Sequence, residues 1–196
     1  MCKTLLITGF EPFGGEQVNP SWEAVAKLPE IIGQWQLTKM KIPVEYSKAA
    51  EAVIEKAQSI VPDVILCVGQ AGGRSAITPE VVGINLRDAA LPDNAGLLQQ
   101  NVPVIPGGPD AYFTTVPVRN MVSAIKAANI PASLSLSAGA YVCNDTLYSL
   151  LHRFHRTKTR VGFVHVPFLP AQAKEGVSSL TLEQITTGLT AAIEIL

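Results

Sequence analysis

VILCV, at residues 64–68, is a short apolar run that is rich in β-branched residues and is followed by Gly69. Runs of this kind are typical of strands that are buried on both faces of a sheet. LLIT at residues 5–8 and VGFVHV at residues 161–166 are similar, and each is also closed by Gly or Pro. We predict that these three runs are central strands of one sheet.

Helical spacing of apolar residues, at i, i+3, i+4 and i+7, appears between and after these runs. Strands that alternate with helices predict βαβ units, and therefore a largely parallel sheet covered by helices on both faces. In such a sheet, functional residues lie at the carboxyl ends of the strands. The helical positions are Ala50, Val53, Ile54 and Ala57; Val118, Met121, Val122 and Ile125; Leu147, Leu150, Leu151 and Phe154; and Leu182, Ile185, Leu189, Ile193 and Leu196.

Composition limits the class of protein. The chain has 196 residues, of which 47% are hydrophobic, which is enough for one core, so we predict a single domain over residues 1–196. Fifteen basic and sixteen acidic residues leave a net charge of −1 with no basic run, so nucleic acid and anionic membranes are not expected as partners. No segment has the roughly 18 to 20 apolar residues of a membrane-spanning helix, and no signal peptide is evident. Three cysteines favour a reducing compartment, so a cytoplasmic location is expected.

Cys143 has the surroundings of a nucleophile. The stretch SAGAYVCNDTLYSLLH, residues 137–152, predicts that an alternating strand gives way to a helix with Cys143 in its first turn. A helix N-terminus and a nearby histidine both lower the pKa of a thiol from about 8.5, which favours the reactive thiolate. The alternative is that a lone cysteine is a small buried hydrophobe, which is our interpretation of Cys67 within residues 64–68.

Two loops that follow predicted strands contain unusual residues. In GFEPFGGEQVNPSW, residues 9–22, Phe10 and Phe13 are aromatic side chains in a loop, where they can cover a ligand. Asn19 before Pro20 predicts a helix start, with the side-chain oxygen as the cap and the amide NH₂ left for a ligand. In GQAGGRSAITPE, residues 69–80, a glycine pair lets the backbone approach a substrate, but the spacing is not that of a phosphate loop.

Other polar residues are ambiguous from the residues alone. Composition favours Glu80 as a solvated carboxylate at a strand end over a buried one, and Arg74 as a surface or ion-pair residue over a catalytic one. His165 ends the run 161–166 at the same sheet edge as the loops. His152 and His155 lie near a helix C-terminus, where positive charge is favourable, and no ligand set has zinc spacing, so no metal is expected. Residues 88–110, rich in Pro and Gly, predict a long surface excursion.

Several sequence blocks, in order and in spacing from about Leu5 to Ala171, resemble pyroglutamyl peptidase I, the pyrrolidone-carboxylate peptidase family of cysteine peptidases. The resemblance implies an α/β fold, a three-layer α/β/α sandwich around a largely parallel, mixed central sheet, assembled as a homotetramer. It implies removal of N-terminal pyroglutamate from peptides and proteins by acyl-enzyme hydrolysis, without a cofactor. The blocks are GFEPFGG with NPSW, GQAGGR with ITPE, PDN at 92–94, AYF at 111–113, SAGAYVCN and GFVHVPFLP.

The resemblance also implies roles for individual residues. A catalytic triad falls on Glu80, Cys143 and His165, which reverses the interpretation of Glu80 from composition. Cys143 attacks the carbonyl that follows pyroglutamate, and His165 protonates the departing amine. Because pyroglutamate is a neutral lactam, its pocket should combine apolar walls with a few hydrogen bonds. The residues expected to bind it are Phe10, Phe13, Tyr141 and Val142 as walls, with Asn19 and the backbone of Gln70 as polar contacts.

Two departures from the family pattern and two alternatives stay open. Ala90 stands where many relatives have an arginine, and Phe168 stands where a tyrosine is common. One alternative is an N-terminal nucleophile hydrolase that uses Cys2 after removal of Met1. The other is a non-catalytic α/β domain that binds a small ligand and in which Cys143 is part of the core.

Overall fold

Eight strands and five helices are formed by residues 3–196, which are the residues that the computed structural model describes. The strands are β1 (Lys3–Phe10), β2 (Ile31–Ile32), β3 (Trp35–Ile42), β4 (Val64–Gln70), β5 (Thr78–Pro79), β6 (Val82–Ile84), β7 (Ala111–Phe113) and β8 (Arg160–Val166). The helices are α1 (Pro20–Lys27), α2 (Lys48–Ile60), α3 (Val118–Ala127), α4 (Val142–Phe154) and α5 (Leu182–Glu194).

Six strands make the central sheet, in the order β2-β3-β1-β4-β8-β5. The four inner strands are parallel, and the short edge strands β2 and β5 are antiparallel to their neighbours. The three apolar runs of the sequence are the adjacent strands β1, β4 and β8, as predicted. Within this register Gly69 on β4 is paired with His165 on β8, which places the carboxyl ends of both strands at one edge.

Helices cover both faces of the sheet. Alternate residues of β4 face opposite sides: Leu66 packs in the core with α1, α3 and α5, whereas Ile65 and Cys67 pack in the core with α2 and α4. Side chains buried to this extent each contribute about 1.5–3 kcal/mol through the hydrophobic effect. The predicted three-layer α/β/α sandwich with a mixed sheet is confirmed, and Cys67 is fully buried.

The predicted helices are present, and their ends follow the local sequence. Asn19 caps α1 by accepting a hydrogen bond from Ser21 N, and Pro20 occupies the first helical position, where no amide N–H is needed. The last helix, α5, begins with a capping box formed by Thr181 and Gln184. No helix within the described residues is long and apolar enough to cross a membrane.

The strand predicted before Cys143 is absent, and the long strand β3 was not predicted. The segment before Cys143 is not an alternating strand, because it makes only isolated bridges at Ala132 and Ser135, with residues of the β5 region. Strand β3 was not predicted, although its Trp35 and Leu37 alternate with polar residues. The apolar alternation changes phase at residues 39–41, which interrupts the pattern in the sequence.

Candidate active site

Glu80 and His165 form a buried pair at the carboxyl edge of the sheet. Glu80 directly follows β5, which pairs with the end of β8, and this pairing brings Glu80 beside the histidine. Glu80 is 0% exposed and His165 is 3% exposed. His165 Nδ1 lies 2.7 Å from Glu80 Oε1. A carboxylate at Nδ1 favours the tautomer whose Nε2 is free to accept a proton.

Arg74 binds the same oxygen of the Glu80 carboxylate as His165. Its Nη1 donates to Glu80 Oε1 at 2.7 Å and also contacts Thr78 Oγ1, and its Nη2 donates to Ser137 O at 3.1 Å. Burial opposes ionisation of Glu80, but the hydrogen bonds from His165 and Arg74, with a contribution from the nearby Ser135 hydroxyl, hold the pKa of Glu80 below its ordinary value. The carboxyl group is therefore ionised at neutral pH.

His165 is a neutral imidazole in this environment. Burial lowers its pKa, Arg74 lowers it further, and Glu80 opposes both effects. The ring of Phe163 lies 4.8 Å from the imidazole ring, centroid to centroid, and contributes to the exclusion of water. A neutral imidazole whose Nδ1 faces a carboxylate has the protonation state of a general base.

Cys143 lies against strand β4, which is the neighbour of the His165 strand β8. It is the second residue of α4, and its Sγ lies only 2.9 Å from the position where a Cβ on Gly69 would be. Because real Cβ atoms do not approach this closely, the thiol needs a glycine at that point of β4. Gly69 is the register partner of His165, so the sulfur lies beside the strand pair that holds the histidine.

Burial favours the protonated form of the Cys143 thiol at neutral pH. Cys143 is partly exposed as a residue, but burial of its sulfur raises its pKa to about 12, with a further increase from the charge of Glu80. The lowered pKa expected from the sequence is therefore wrong for this state. Within residues 3–196, Cys143 Sγ makes no hydrogen bond to His165. A neutral thiol beside a neutral imidazole suits proton transfer during attack rather than a preformed thiolate.

The first turn of α4 offers backbone donors beside the sulfur. The first helical hydrogen bond runs from Asp145 N to Tyr141 O at 3.0 Å. Among the described residues, the N–H groups of Val142, Cys143 and Asn144 have no hydrogen-bond acceptor, and Tyr141 provides no side-chain cap. Free N–H groups at a helix N-terminus are suited to bind an oxyanion.

A small apolar cavity of about 30 Å³ opens onto Cys143. Its volume is enough for about one water molecule. Val44, which follows strand β3, also lines the cavity and was not predicted as a binding residue. All six residues predicted to bind substrate line the cavity with it and with Cys143: Phe10, Phe13, Asn19, Gln70, Tyr141 and Val142. Their individual roles stay predictions.

The polar groups of this cavity are partly engaged. Asn19 Oδ1 accepts hydrogen bonds from Ser21 N and Oγ, and its Nδ2 donates to Glu11 O at 2.9 Å. The predicted free amide thus retains one N–H rather than two within the described part of the chain. The side chain of Gln70 accepts a hydrogen bond from Gln172 at 3.3 Å.

Part of the predicted surface excursion packs on the rim of the cavity. The hydroxyl of Tyr141 donates to Pro92 O at 3.0 Å. Asn94 Nδ2 donates to Glu11 Oε1 at 2.8 Å and to Pro12 O at 3.0 Å. The segment around residues 92–94 therefore supports both aromatic walls, because Phe13 follows Pro12 in the chain and its ring lies 6.0 Å from that of Tyr141.

Comparison with known proteins agrees with this geometry. The model of the family described as "Pyroglutamyl peptidase" matches residues 3–196. This chain belongs to the pyroglutamyl peptidase family. It is 46% identical over 195 residues to a pyrrolidone-carboxylate peptidase from Escherichia fergusonii, covering 97% of this chain and 91% of the relative. It is 48% identical over 193 residues to one from Levilactobacillus brevis, covering 96% and 95%.

Solved structures give the same result. The crystal structure of pyroglutamyl peptidase I from Bacillus amyloliquefaciens superimposes with a TM-score of 0.95 at 42% identity, covering 98% of this chain and 96% of that one. The pyrrolidone carboxyl peptidase from Fervidobacterium islandicum gives a TM-score of 0.93 at 41% identity, covering 98% and 97%. The family resemblance predicted from the sequence blocks is confirmed, and with it membership of a cysteine peptidase family.

The two departures from the family pattern occupy different environments in this chain. Ala90 is exposed, so the absent arginine side chain leaves no cavity in the core. The ring of Phe168 packs on Gly72, where a Cβ would lie only 2.2 Å from the ring atom Cζ. The second glycine of the 69–80 loop therefore makes room for this ring.

Sequence reasoning missed the anchors of the nucleophile helix. Asn144, fully buried, accepts a hydrogen bond from Ile84 N and donates to the carbonyls of Ile84 and Leu86, each at 2.9 Å. Asp145, also fully buried, forms an ion pair with Arg87 at 2.6 Å. Two adjacent polar residues inside an amphipathic helix were the available signal. Within residues 3–196, no three His, Cys, Asp or Glu side chains converge as a metal site would require.

Proposed function

We propose that this protein removes N-terminal pyroglutamate from peptides and proteins, with Cys143 as nucleophile, His165 as general base and acid, and Glu80 as the residue that orients His165. One observation carries the proposal: the buried Glu80–His165 contact of 2.7 Å lies near Cys143, which lines a small apolar cavity. Family membership supports the same reaction.

The mechanism begins with proton transfer. Nε2 of His165 takes the proton from Cys143 while the sulfur attacks the carbonyl carbon that follows the lactam ring. The resulting oxyanion is stabilised by the free N–H groups of the first turn of α4. The imidazolium, which Glu80 stabilises, then protonates the amine as the C–N bond breaks, and a thioester remains.

Hydrolysis of the thioester regenerates the enzyme. The departing peptide leaves space for water, and neutral His165 removes a proton from that water as it attacks the thioester carbon. Collapse of the second tetrahedral intermediate releases pyroglutamate, and the sulfur of Cys143 recovers its proton. One water molecule is consumed in each turnover, and with it the atoms and charges balance.

Specificity for a neutral lactam fits the lining of the cavity. Apolar walls exclude a charged amine, and the remaining N–H of Asn19 donates to the lactam carbonyl while the backbone of Gln70 accepts from the lactam N–H. A ring enters only when the side chains of Phe13 and Tyr141 move apart, because the free volume is about 30 Å³. Unpaired polar groups disfavour a proline-like ring that lacks the lactam oxygen.

The wider setting of the enzyme is also part of the proposal. We propose one domain, a cytoplasmic location and a homotetramer. The free thiols of Cys67 and Cys143 suit a reducing compartment. The side chains of Phe113 and Leu136, which are 74% and 72% exposed, supply apolar surface that contact with another copy would cover.

The test is release of a chromogenic amine from its pyroglutamyl derivative. We expect Cys143→Ser to abolish turnover, and Cys67→Ala, a matched change of a buried thiol, to retain it in the folded fraction. Cys2 lies outside the described residues, and Cys2→Ala should be as active as wild type. Turnover by Cys143→Ser would refute the mechanism, dependence on Cys2 would favour the N-terminal nucleophile, and an inactive, folded wild type would favour the binding domain.

A further inference from the structure

The two oxygens of the Glu80 carboxylate differ in their hydrogen bonds. Both of its hydrogen bonds, from Arg74 Nη1 and from His165 Nδ1, go to Oε1 at 2.7 Å. Its other oxygen, Oε2, is buried and has no hydrogen-bond partner within residues 3–196. A carboxylate that is fixed at one oxygen depends on each of the two groups that hold it.

We propose that Arg74 is a positioning residue of the hydrolytic reaction, which fixes the Glu80 carboxylate so that it faces Nδ1 of His165. This inference rests on the proposed function. It assigns a role beyond the triad to a residue that composition alone assigns to the surface.

The contacts of Arg74 join three parts of the site. Its guanidinium bridges Thr78 on β5, the Glu80 carboxylate and the carbonyl of Ser137, in the segment that leads to Cys143. Planar guanidinium groups hold several acceptors in fixed directions, which a lysine ammonium does not. Arg74 thus couples the position of Glu80 to that of the segment before the nucleophile.

The charge of Arg74 acts on the same groups. It lowers the pKa of His165 and of Cys143, and the hydrogen bond from Arg74 lowers the pKa of Glu80. Removing the cation therefore raises the pKa of both members of the Glu80–His165 pair. The reaction needs an ionised Glu80 and a neutral His165. As the solution is acidified, the variant without Arg74 should therefore lose activity at a higher pH than wild type does.

A cavity makes this arginine accessible from solvent. The side chain of Arg74 is 29% exposed and lines an open cavity of about 420 Å³. Most of the other lining is polar or small: Gly73, Ser75, Ala76, Thr78, Ser133, Leu134 and Ser135. A guanidinium ion has the shape of the Arg74 head group and can enter a cavity of this size.

The experiment measures kcat/KM of Arg74→Ala against pH, with and without added guanidinium chloride at non-denaturing concentration. We expect a loss of roughly 10- to 100-fold, as for one hydrogen bond to a charged group. The acid limb is the part of the pH profile in which kcat/KM falls as the pH is lowered, and it reports groups of the free enzyme. In Arg74→Ala this limb should move to higher pH. Guanidinium should restore activity several-fold, whereas sodium chloride at equal ionic strength should not.

Arg87→Ala is the matched control, because Arg87 also pairs with a fully buried carboxylate but does not touch the triad. Its folded fraction should keep the wild-type acid limb and show no rescue. Wild-type kcat/KM with an unchanged acid limb in Arg74→Ala would overturn the proposal, as would a loss without a pH shift or rescue. If Arg74→Ala does not fold, the same shift of the acid limb is measured in Arg74→Met, which keeps the side-chain length. An inactive wild type refutes the proposed function instead.

Discussion

Two fully buried carboxylates, Glu80 and Asp145, each pair with one arginine, but they are satisfied to different extents. Asp145 Oδ1 binds Arg87 through Nε at 2.7 Å and Nη2 at 2.6 Å, and its Oδ2 accepts from Ser47 N at 2.8 Å. Glu80 uses one oxygen for both of its partners. The first arrangement has the geometry of a structural ion pair, in which every oxygen has a donor.

The second difference is the presence of a titratable partner. At Asp145, burial raises the pKa despite the charge of Arg87. At Glu80, the hydrogen bonds from His165 and Arg74 outweigh burial and lower the pKa. Burial and an arginine are therefore common to both carboxylates, whereas an adjacent imidazole and an oxygen without a donor distinguish Glu80 as the candidate for catalysis.

Of the changes at the two carboxylates, Glu80→Gln should have the larger effect on kcat. The amide keeps the shape of the side chain but loses the charge that stabilises the imidazolium, so we expect kcat to fall by about 10³–10⁴-fold. The melting temperature should change little in comparison. Steady-state assays with a pyroglutamyl amide, paired with thermal unfolding, measure both. A loss of less than tenfold would remove Glu80 from the catalytic role.

Asp145→Asn should give the opposite pattern. The change leaves the buried Arg87 without a counter-charge, so the free energy of unfolding should fall by about 3–5 kcal/mol. Urea denaturation measures this loss, and kcat of the folded enzyme should fall far less than in Glu80→Gln. If Asp145→Asn were stable but inactive, the division into a structural and a catalytic pair would be wrong.

The two carboxylates were not equally predictable from the sequence. Glu80 became a candidate through the resemblance of ITPE to the family blocks, while composition alone favoured a solvated position. Asp145 gave only the signal of a polar pair with Asn144 inside an amphipathic helix, since its partners Arg87 and Ser47 are 58 and 98 residues away. Contacts between such distant residues follow from tertiary packing, which local periodicity does not encode.

The same limit determines which strands could be predicted from the sequence. Strands β1, β4 and β8 were predictable because strands buried on both faces leave continuous apolar runs. Strands β6 and β7 are three residues each, too short for a period of two to stand out. The segment before Cys143 alternates in sequence yet pairs one residue at a time, because Ala132 and Ser135 bridge to Ile77 and Glu80 only singly.

Gly69→Ala should disturb the nucleophile without touching either carboxylate. A new Cβ would lie 2.9 Å from Cys143 Sγ and 2.8 Å from Phe163 Cζ, so the thiol has to move. We expect kcat/KM to fall by about 10²-fold, the scale of a misplacement near 1 Å. Gly162→Ala on β8, whose Cβ would lie 2.4 Å from Val116 Cγ2, is the control: it should lose stability while its folded fraction keeps its activity.

The pH dependence of Cys143 alkylation should show the smallest but most direct effect. Because burial raises the pKa of this thiol to about 12, its thiolate fraction should increase about tenfold per pH unit up to pH ~10, without a plateau. Iodoacetamide labelling of the Cys2→Ala/Cys67→Ala double variant, which keeps Cys143 as its one thiol, measures this rate. In urea, the exposed thiol should level off above its ordinary pKa of about 8.5. A plateau below pH 7 in the native enzyme would instead indicate a preformed thiolate–imidazolium pair, so that Glu80 would face a charged His165 at rest.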